Sequence, residues 1–387
     1  MFRFDPFSPE VDANPFPFYQ VLRDEHPLFW SEEANMWVLS RYEDIVTALN
    51  DWETYSSAQG NLMTELPNRA GATLGTTDPP RHDRLRALIQ KAVTKRALDH
   101  VMEPARQAAR AHLQAVADKD QFDFVSGFSA RYTLDLIVYL FALPEEDQEI
   151  VRQKAVLMVQ SDPKTRTKGP EHLAAYEWMV DYTDKLVAKR KQNPGEDLLS
   201  GFITSEIDGE KLLDREIQLT VTTLIMAGIE SLSGYMTMLM KNITDHPEAR
   251  DALVADPSKI PAAIEESLRF NTSAQRFRRC VQKEVTLHGQ TMKPGDFVCL
   301  AYGSGNRDER QFPNPDVYDV SRNPKGHLGF GGGVHACLGT AIARLACKVA
   351  VEEVLTQFPN IGAVDQDLRW MPSSTFRSPL SLLVSTR

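Results

Sequence analysis

The sequence predicts a mostly helical protein with small peripheral sheets, and two observations carry that prediction. Apolar residues recur three or four positions apart over most of the chain. Alternating strand patterns are few, short and bounded by turn residues. Taken in order, the helical spacing covers Arg81 to Ala97, Glu103 to Ala117, Phe128 to Leu143, Glu146 to Gln160, Pro170 to Gln192, Asp214 to Thr244, Pro261 to Phe270 and Cys337 to Phe358. The helix over 214–244 would run about 45 Å at about 1.5 Å per residue, and it is apolar almost all round, which places it in the core. Strands are expected at Met36 to Leu39, Val285 to Leu287, Phe297 to Leu300 and Leu380 to Val384, beside turn pairs such as His288-Gly289 and Pro294-Gly295. Without repeats or a Gly/Ser-rich linker, one domain over 1–387 is the simplest organisation.

Composition narrows the function classes. The 387 residues are 42% hydrophobic and 25% charged, as in globular proteins with a large core. A formal charge of −10 argues against nucleic acid, because a binder displaces counterions with a basic face. The amino terminus has no basic start followed by an apolar block, and no apolar run is long enough for a membrane span. Four cysteines in so long a chain do not make a disulfide framework. A cytoplasmic monomer is expected, with no membrane partner.

One stretch carries chemistry: FGGGVHACLG, residues 330–339. Its single cysteine, Cys337, opens the last helical pattern, where unpaired N–H groups and the helix dipole stabilise a thiolate. The glycines before it allow positive φ and close approach of backbone to a large ligand. A metal with one protein thiolate must take its other ligands from elsewhere, and a porphyrin supplies four nitrogens in a plane. The stretch therefore looks like a haem site with cysteine as axial ligand. Three alternatives stand beside it: a buried small cysteine, a phosphate-cradling loop, and zinc held by His327, His335 and Cys337.

Phe330, Gly333, Cys337 and Gly339 match the FxxGxxxCxG signature of the cytochrome P450 family of haem-thiolate monooxygenases, and the chain resembles that family from about residue 12 onward. EESLR resembles its ExxR motif, giving Glu266 and Arg269. DPPRHDRLR resembles its HxxxR segment, giving His82 and Arg86, and AGIES at 227–231 resembles its oxygen-activating helix motif. The resemblance implies a triangular helical fold with haem b between the long central helix and the helix after the cysteine loop. Arg279 and His335 would join His82 and Arg86 on the haem carboxylates, since a largely apolar pocket needs donors to offset their desolvation. Arg322 would complete a buried network with Glu266 and Arg269.

At Gly228 the family distorts the helix to admit dioxygen, with Glu230 and Ser231 as acid and alcohol for proton delivery. Serine is a departure from the usual threonine; it keeps the hydroxyl and loses the methyl that limits rotamers. The substrate pocket would include Leu62, Met63, Leu224, Ala227, Phe277 and Phe376, a mainly apolar set suited to a small or medium organic molecule, aromatic ones included. Residues near Asn61, Leu66, Met158, Val159, Ser273 and Thr375 would adjoin it, and Arg69, Arg276 and Arg377 are candidates for a substrate carboxylate. Hydroxylation, epoxidation and O-dealkylation are all open. The chain has no flavin or nicotinamide motif and no iron–sulfur spacing, so electrons would come from a separate ferredoxin and its NAD(P)H-dependent reductase. Arg84, Lys91, Lys95, Arg96, Arg344 and Lys348 could dock an acidic ferredoxin. Direct use of hydrogen peroxide and a haem sensor without turnover are the alternative functions.

Overall fold

The computed structural model describes residues 2–93 and 95–387, and the side chains of all of these except 95–100. Helices dominate it. Pro170–Gln192 and three short strands, Met36–Leu39, Val285–Leu287 and Phe297–Leu300, have the bounds read from the sequence. Gly169 precedes Pro170, whose fixed φ suits a first helical turn. Pro247 begins the helix after the long one, preceded by His246 in a non-helical conformation.

Three expectations need correction. The helix from Arg81 ends at Ala92, and a new one, Lys95–Gln114, follows with Pro104 inside it; helical spacing on both sides of the joint hid the break. The last helix starts at Thr340, so Cys337 lies three residues before it rather than at its start. The carboxy-terminal strand is Leu383–Ser385, shifted towards the end of the chain. Helices Phe16–Glu25, Tyr42–Asn50 and Pro247–Ala255 and the strand Phe277–Val281 were not anticipated.

The larger sheet has five strands in the order Leu28–Ser31, Met36–Leu39, Phe297–Leu300, Phe277–Val281 and Tyr55–Ser56. Only the contact between Phe297–Leu300 and Met36–Leu39 is parallel. In the pairing with Phe277–Val281, Val298 stands opposite Arg279.

The long helix is in three parts: Asp214–Met226, a π-helical stretch Ala227–Ser231, and Leu232–Asp245. Most of its residues are buried, yet Thr223, Leu224, Ala227, Gly228, Glu230 and Ser231 are only half-buried. Their spacing of three to four puts them along one side. A second π-helical stretch, Val125–Ser129, leads into Ala130–Phe141, which packs on the first. Thr133 donates its hydroxyl to the carbonyl of Ile229 at 3.2 Å, and the Ser129 hydroxyl lies 3.2 Å from that of Ser233 and 3.0 Å from that of Thr237. A Cβ at Gly228 would come 2.3 Å from the end of Ile137, so the tip of that side chain fills the space glycine leaves.

Candidate haem and oxygen-activation site

Of the four cysteines, Cys280, Cys299 and Cys347 are buried, and Cys337 alone is exposed. The reading of a small buried hydrophobe fits the first three and fails for the fourth. The loop bearing Cys337 is held from both ends: its N–H donates to the carbonyl of Phe330 at 2.9 Å, and the Thr340 hydroxyl donates to its carbonyl at 2.8 Å. Although the residue presents surface, protein packed around its sulfur partly desolvates the thiol and pushes its pKa up, against the Gly339 N–H, the Thr340 hydroxyl and the charges of Arg86 and Arg344. A bound cation would favour the thiolate over the thiol here.

Gly333 has φ +60°, and a Cβ there would meet the carbonyl oxygen of Leu49 at 1.9 Å. Gly331 also has positive φ, +66°, but its nearest neighbour would be 3.7 Å away. Gly333→Ala is therefore expected to cost about 2 kcal/mol or more, and Gly331→Ala about 1, from backbone strain alone. Urea unfolding checks this, and equal costs would contradict the close approach to Leu49.

Beside the loop lie the expected imidazoles and guanidinium groups. His82 is 1% exposed; its Nδ1 is 2.9 Å from Asp83, and its Nε2 is buried without a partner. Both ring nitrogens of His335 are likewise buried and unpartnered, with Nε2 3.6 Å from Asp78. The two rings meet edge to face, centroids 4.7 Å apart. Arg86 donates to the carbonyls of Ala336 at 2.9 Å and Val334 at 3.3 Å, and Arg279 donates to the carbonyl of Arg278 at 2.8 Å. Burial lowers the His335 pKa; Asp78 opposes that, while Arg279 and His82 add to it. Buried ring nitrogens without partners cost free energy unless an acceptor reaches them. The set fits an acidic group such as a haem carboxylate.

Asp78 was missed in the sequence. Burial pushes its carboxyl up, but the nearby His335 and hydrogen bonds from Ser56 and Ser57 outweigh this and hold it low. Nothing in DPP marks it as a partner of a loop more than 250 residues away.

Glu266 and Arg269 are fully buried and joined by two hydrogen bonds of 2.7 and 2.8 Å. Arg322 donates to Glu266 at 3.1 Å, as does the N–H of Asp319. Arg269 also donates to the carbonyls of Asn306, Pro315 and Val317, tying its helix to the segment that leads into the cysteine loop. His327 is engaged by Glu265 at 3.0 Å, away from any shared site with His335 and Cys337. Among the described residues no group of three His, Cys, Asp or Glu side chains could hold a metal ion.

On the long helix, burial raises the Glu230 pKa to about 7, opposed by the charge of Arg152 from the helix Gln148–Val159. The Ser231 hydroxyl donates to the carbonyl of Ala227 one turn back. Leu62 packs in the main core with half-buried Leu224, Phe277 and Phe376, whereas Met63 packs with Tyr19, Leu22 and Ala301 in the amino-terminal cluster. The rings of Phe277 and Phe376 are perpendicular, 5.8 Å apart. The segments around Met63, Phe277 and Thr375 are knitted together: the Met63 N–H donates to the Thr375 hydroxyl, and Gln275 and Arg276 donate to the Thr375 carbonyl.

Arg276 and Arg377 are committed elsewhere. Arg276 binds Asp12 at 3.2 Å and the Ser374 carbonyl, and Arg377 binds the carbonyls of Asp12 and Ala13 and stacks on Trp370. The surface cations proposed for docking also have partners: Arg84 pairs with Glu210 and Glu216, Lys91 donates to the Glu206 carbonyl, Arg344 pairs with Glu265, and Lys348 with Glu352. Lys95 and Arg96 lie outside the described side chains.

Comparisons with known proteins agree with this geometry. The family model described as Cytochrome P450 matches residues 10–361. A putative cytochrome P450 123 of Mycobacterium tuberculosis is 31% identical over 99% of this chain and 96% of its own length. The nocardicin C N-oxygenase of Nocardia uniformis subsp. tsuyamanensis is 32% identical over 98% of each chain. The solved structure of the cytochrome P450 PksS of the bacillaene polyketide synthase from Bacillus subtilis 168 superposes with a TM-score of 0.91 at 28% identity, covering 99% of both chains. With a family match over most of its length and this fold, the chain belongs to the cytochrome P450 family, and it is a haem-thiolate monooxygenase.

Proposed function

We propose that the protein inserts one oxygen atom of O2 into a small or medium, largely apolar organic molecule, with electrons from a separate ferredoxin and NAD(P)H-dependent reductase. The observation that carries the placement of the site is the set of unpartnered nitrogens of His82 and His335 beside the one exposed cysteine. In this reading Cys337 would hold the haem iron through its thiolate, and His82, His335, Arg86 and Arg279 would receive the haem carboxylates. When bound, the haem supplies oxygen activation, which a thiolate ligand promotes by donating electron density.

The chain's own part is to position, exclude water and move protons. Glu230, half protonated near pH 7, is suited to give and regain a proton at physiological pH. Ser231 passes that proton on when its hydroxyl turns away from the Ala227 carbonyl. Glu266, Arg269 and Arg322 support the segment before the cysteine loop. Leu62, Leu224, Ala227, Phe277 and Phe376 give the substrate an apolar bed, with two aromatic rings at right angles for stacking.

The test is an absorption spectrum of the dithionite-reduced protein under carbon monoxide. A strongly red-shifted Soret band is expected, lost in Cys337→Ser. A band at the same place in the variant would remove Cys337 as ligand. Product formed with NADH, ferredoxin and reductase, but not with hydrogen peroxide alone, separates the monooxygenase from a peroxygenase.

A further inference from the structure

Glu265 holds two side chains from opposite ends of the cysteine segment. It lies on the helix Ile260–Phe270, and its Oε2 accepts from His327 Nε2 at 3.0 Å. Arg344, on the helix Thr340–Gln357, donates to the same carboxylate twice, Nε to Oε1 and Nη2 to Oε2, both at 2.6 Å. His327 precedes Cys337 by ten residues and Arg344 follows it by seven. One carboxylate therefore closes the loop that carries Cys337.

The imidazole is engaged at both nitrogens. Its Nδ1 accepts the Gly329 N–H at 3.2 Å, which leaves the ring proton on Nε2 for Glu265. The His327 side chain is 5% exposed and that of Glu265 17%, so their bond is largely shielded from water, while Arg344 is 45% exposed. A planar guanidinium donating to both oxygens fixes direction as well as distance.

Phe330 stands between this clamp and the cysteine. Its ring centroid lies 6.0 Å from that of His327 and 5.1 Å from the Arg344 guanidinium carbon, within cation–π range. Its carbonyl accepts the Cys337 N–H at 2.9 Å. The path from Glu265 to Cys337 is thus a contact at every step. The neighbouring Glu266 pairs with Arg269 and Arg322 instead.

We propose, on the reading of Cys337 as haem ligand, that Glu265 is a positioning residue for it: by holding His327 and Arg344 at once, Glu265 keeps Phe330, and with it the Cys337 backbone, where the sulfur reaches the haem iron. Without Glu265 the half-exposed Arg344 turns into solvent, Phe330 loses its support, and the sulfur leaves the iron more readily.

The haem-loaded protein, reduced with dithionite under carbon monoxide, tests this through the half-life of the red-shifted Soret band, which converts to an unshifted band as the sulfur leaves. Each protein is held at the same interval below its own urea midpoint, so that a general loss of stability cancels. Glu265→Ala should shorten the half-life about tenfold, the worth of one charge-assisted hydrogen bond. Glu265→Gln, whose amide oxygen accepts without the charge, should shorten it about threefold. In an Arg344→Ala background Glu265→Ala should add less than about twofold, since most of its effect passes through Arg344. Should Glu265→Ala retain no haem, Glu265→Gln and Arg344→Lys decide: the lysine keeps the charge but loses the paired donation, and it too should shorten the half-life about threefold. A half-life within about twofold of the wild type in Glu265→Ala, or in both conservative variants, overturns the proposal. So does an undiminished effect of removing Glu265 where Arg344 is already alanine. A wild type with no red-shifted band is a separate failure, because it removes Cys337 as the ligand.

Discussion

Glu266→Ala is expected to destabilise the protein by about 3–5 kcal/mol, read as a fall in the urea midpoint, and to lower the haem retained after purification. The reason is the charge it leaves behind. Arg269 is fully buried, so without Glu266 its guanidinium keeps its three carbonyl acceptors and loses its only carboxylate. Arg322 and the Asp319 N–H lose an acceptor in the same step. The double change Glu266→Leu with Arg269→Met should recover part of the loss by removing the stranded charge, but not all of it, since the carbonyls of Asn306, Pro315 and Val317 then lose their donor. A single variant within about 1 kcal/mol of the wild type would show that the network does not support the fold.

Glu230→Gln should make the protein more stable at pH 8 than the wild type and nearly equal at pH 4. The folded pKa of Glu230 is raised to about 7 from 4.5, so the folded state holds the proton more tightly than the unfolded chain. Its favourable contribution is complete below about pH 4.5 and is lost as pH rises through 7. The shift corresponds to about 3 kcal/mol, and partial exposure of the residue brings the expected gain to about 2. Unfolding midpoints of both proteins at the two pH values measure it. Under the proposed function the same proton governs turnover: the wild-type rate of product formation should change with an inflection near pH 7, and Glu230→Gln should be slow and lack it. A variant with parallel stability at both pH values would mean that Glu230 ionises freely in the folded protein.

The sequence revealed this site unevenly, for physical reasons. Cys337 and its glycines are legible because one short segment holds both the ligand and the backbone freedom it requires. The pair Glu266 and Arg269 is legible because three residues on a helix bring side chains together. Asp78 and Glu265 are not, since their partners His335 and His327 are reached only through the tertiary fold. Met63 and Leu62 are adjacent in sequence yet enter different clusters, because the chain between helices follows no fixed period. The break at Ala92 was invisible for the opposite reason: both helices that meet there keep an amphipathic spacing.

The π-helical stretch Ala227–Ser231 also constrains how this chain can change length. A π turn is one residue longer than the α turn it replaces, so deleting any one of these five residues could restore a regular ladder. Local stability would gain. Yet each residue of an α-helix turns about 100°, so a deletion rotates everything on one side of it by that amount relative to the other. Leu224 would turn relative to the core it packs on while Glu230 stayed, or the reverse. Substitutions in this stretch can adjust the proposed proton delivery gradually, whereas a one-residue deletion separates the proposed apolar bed from the acid in a single event.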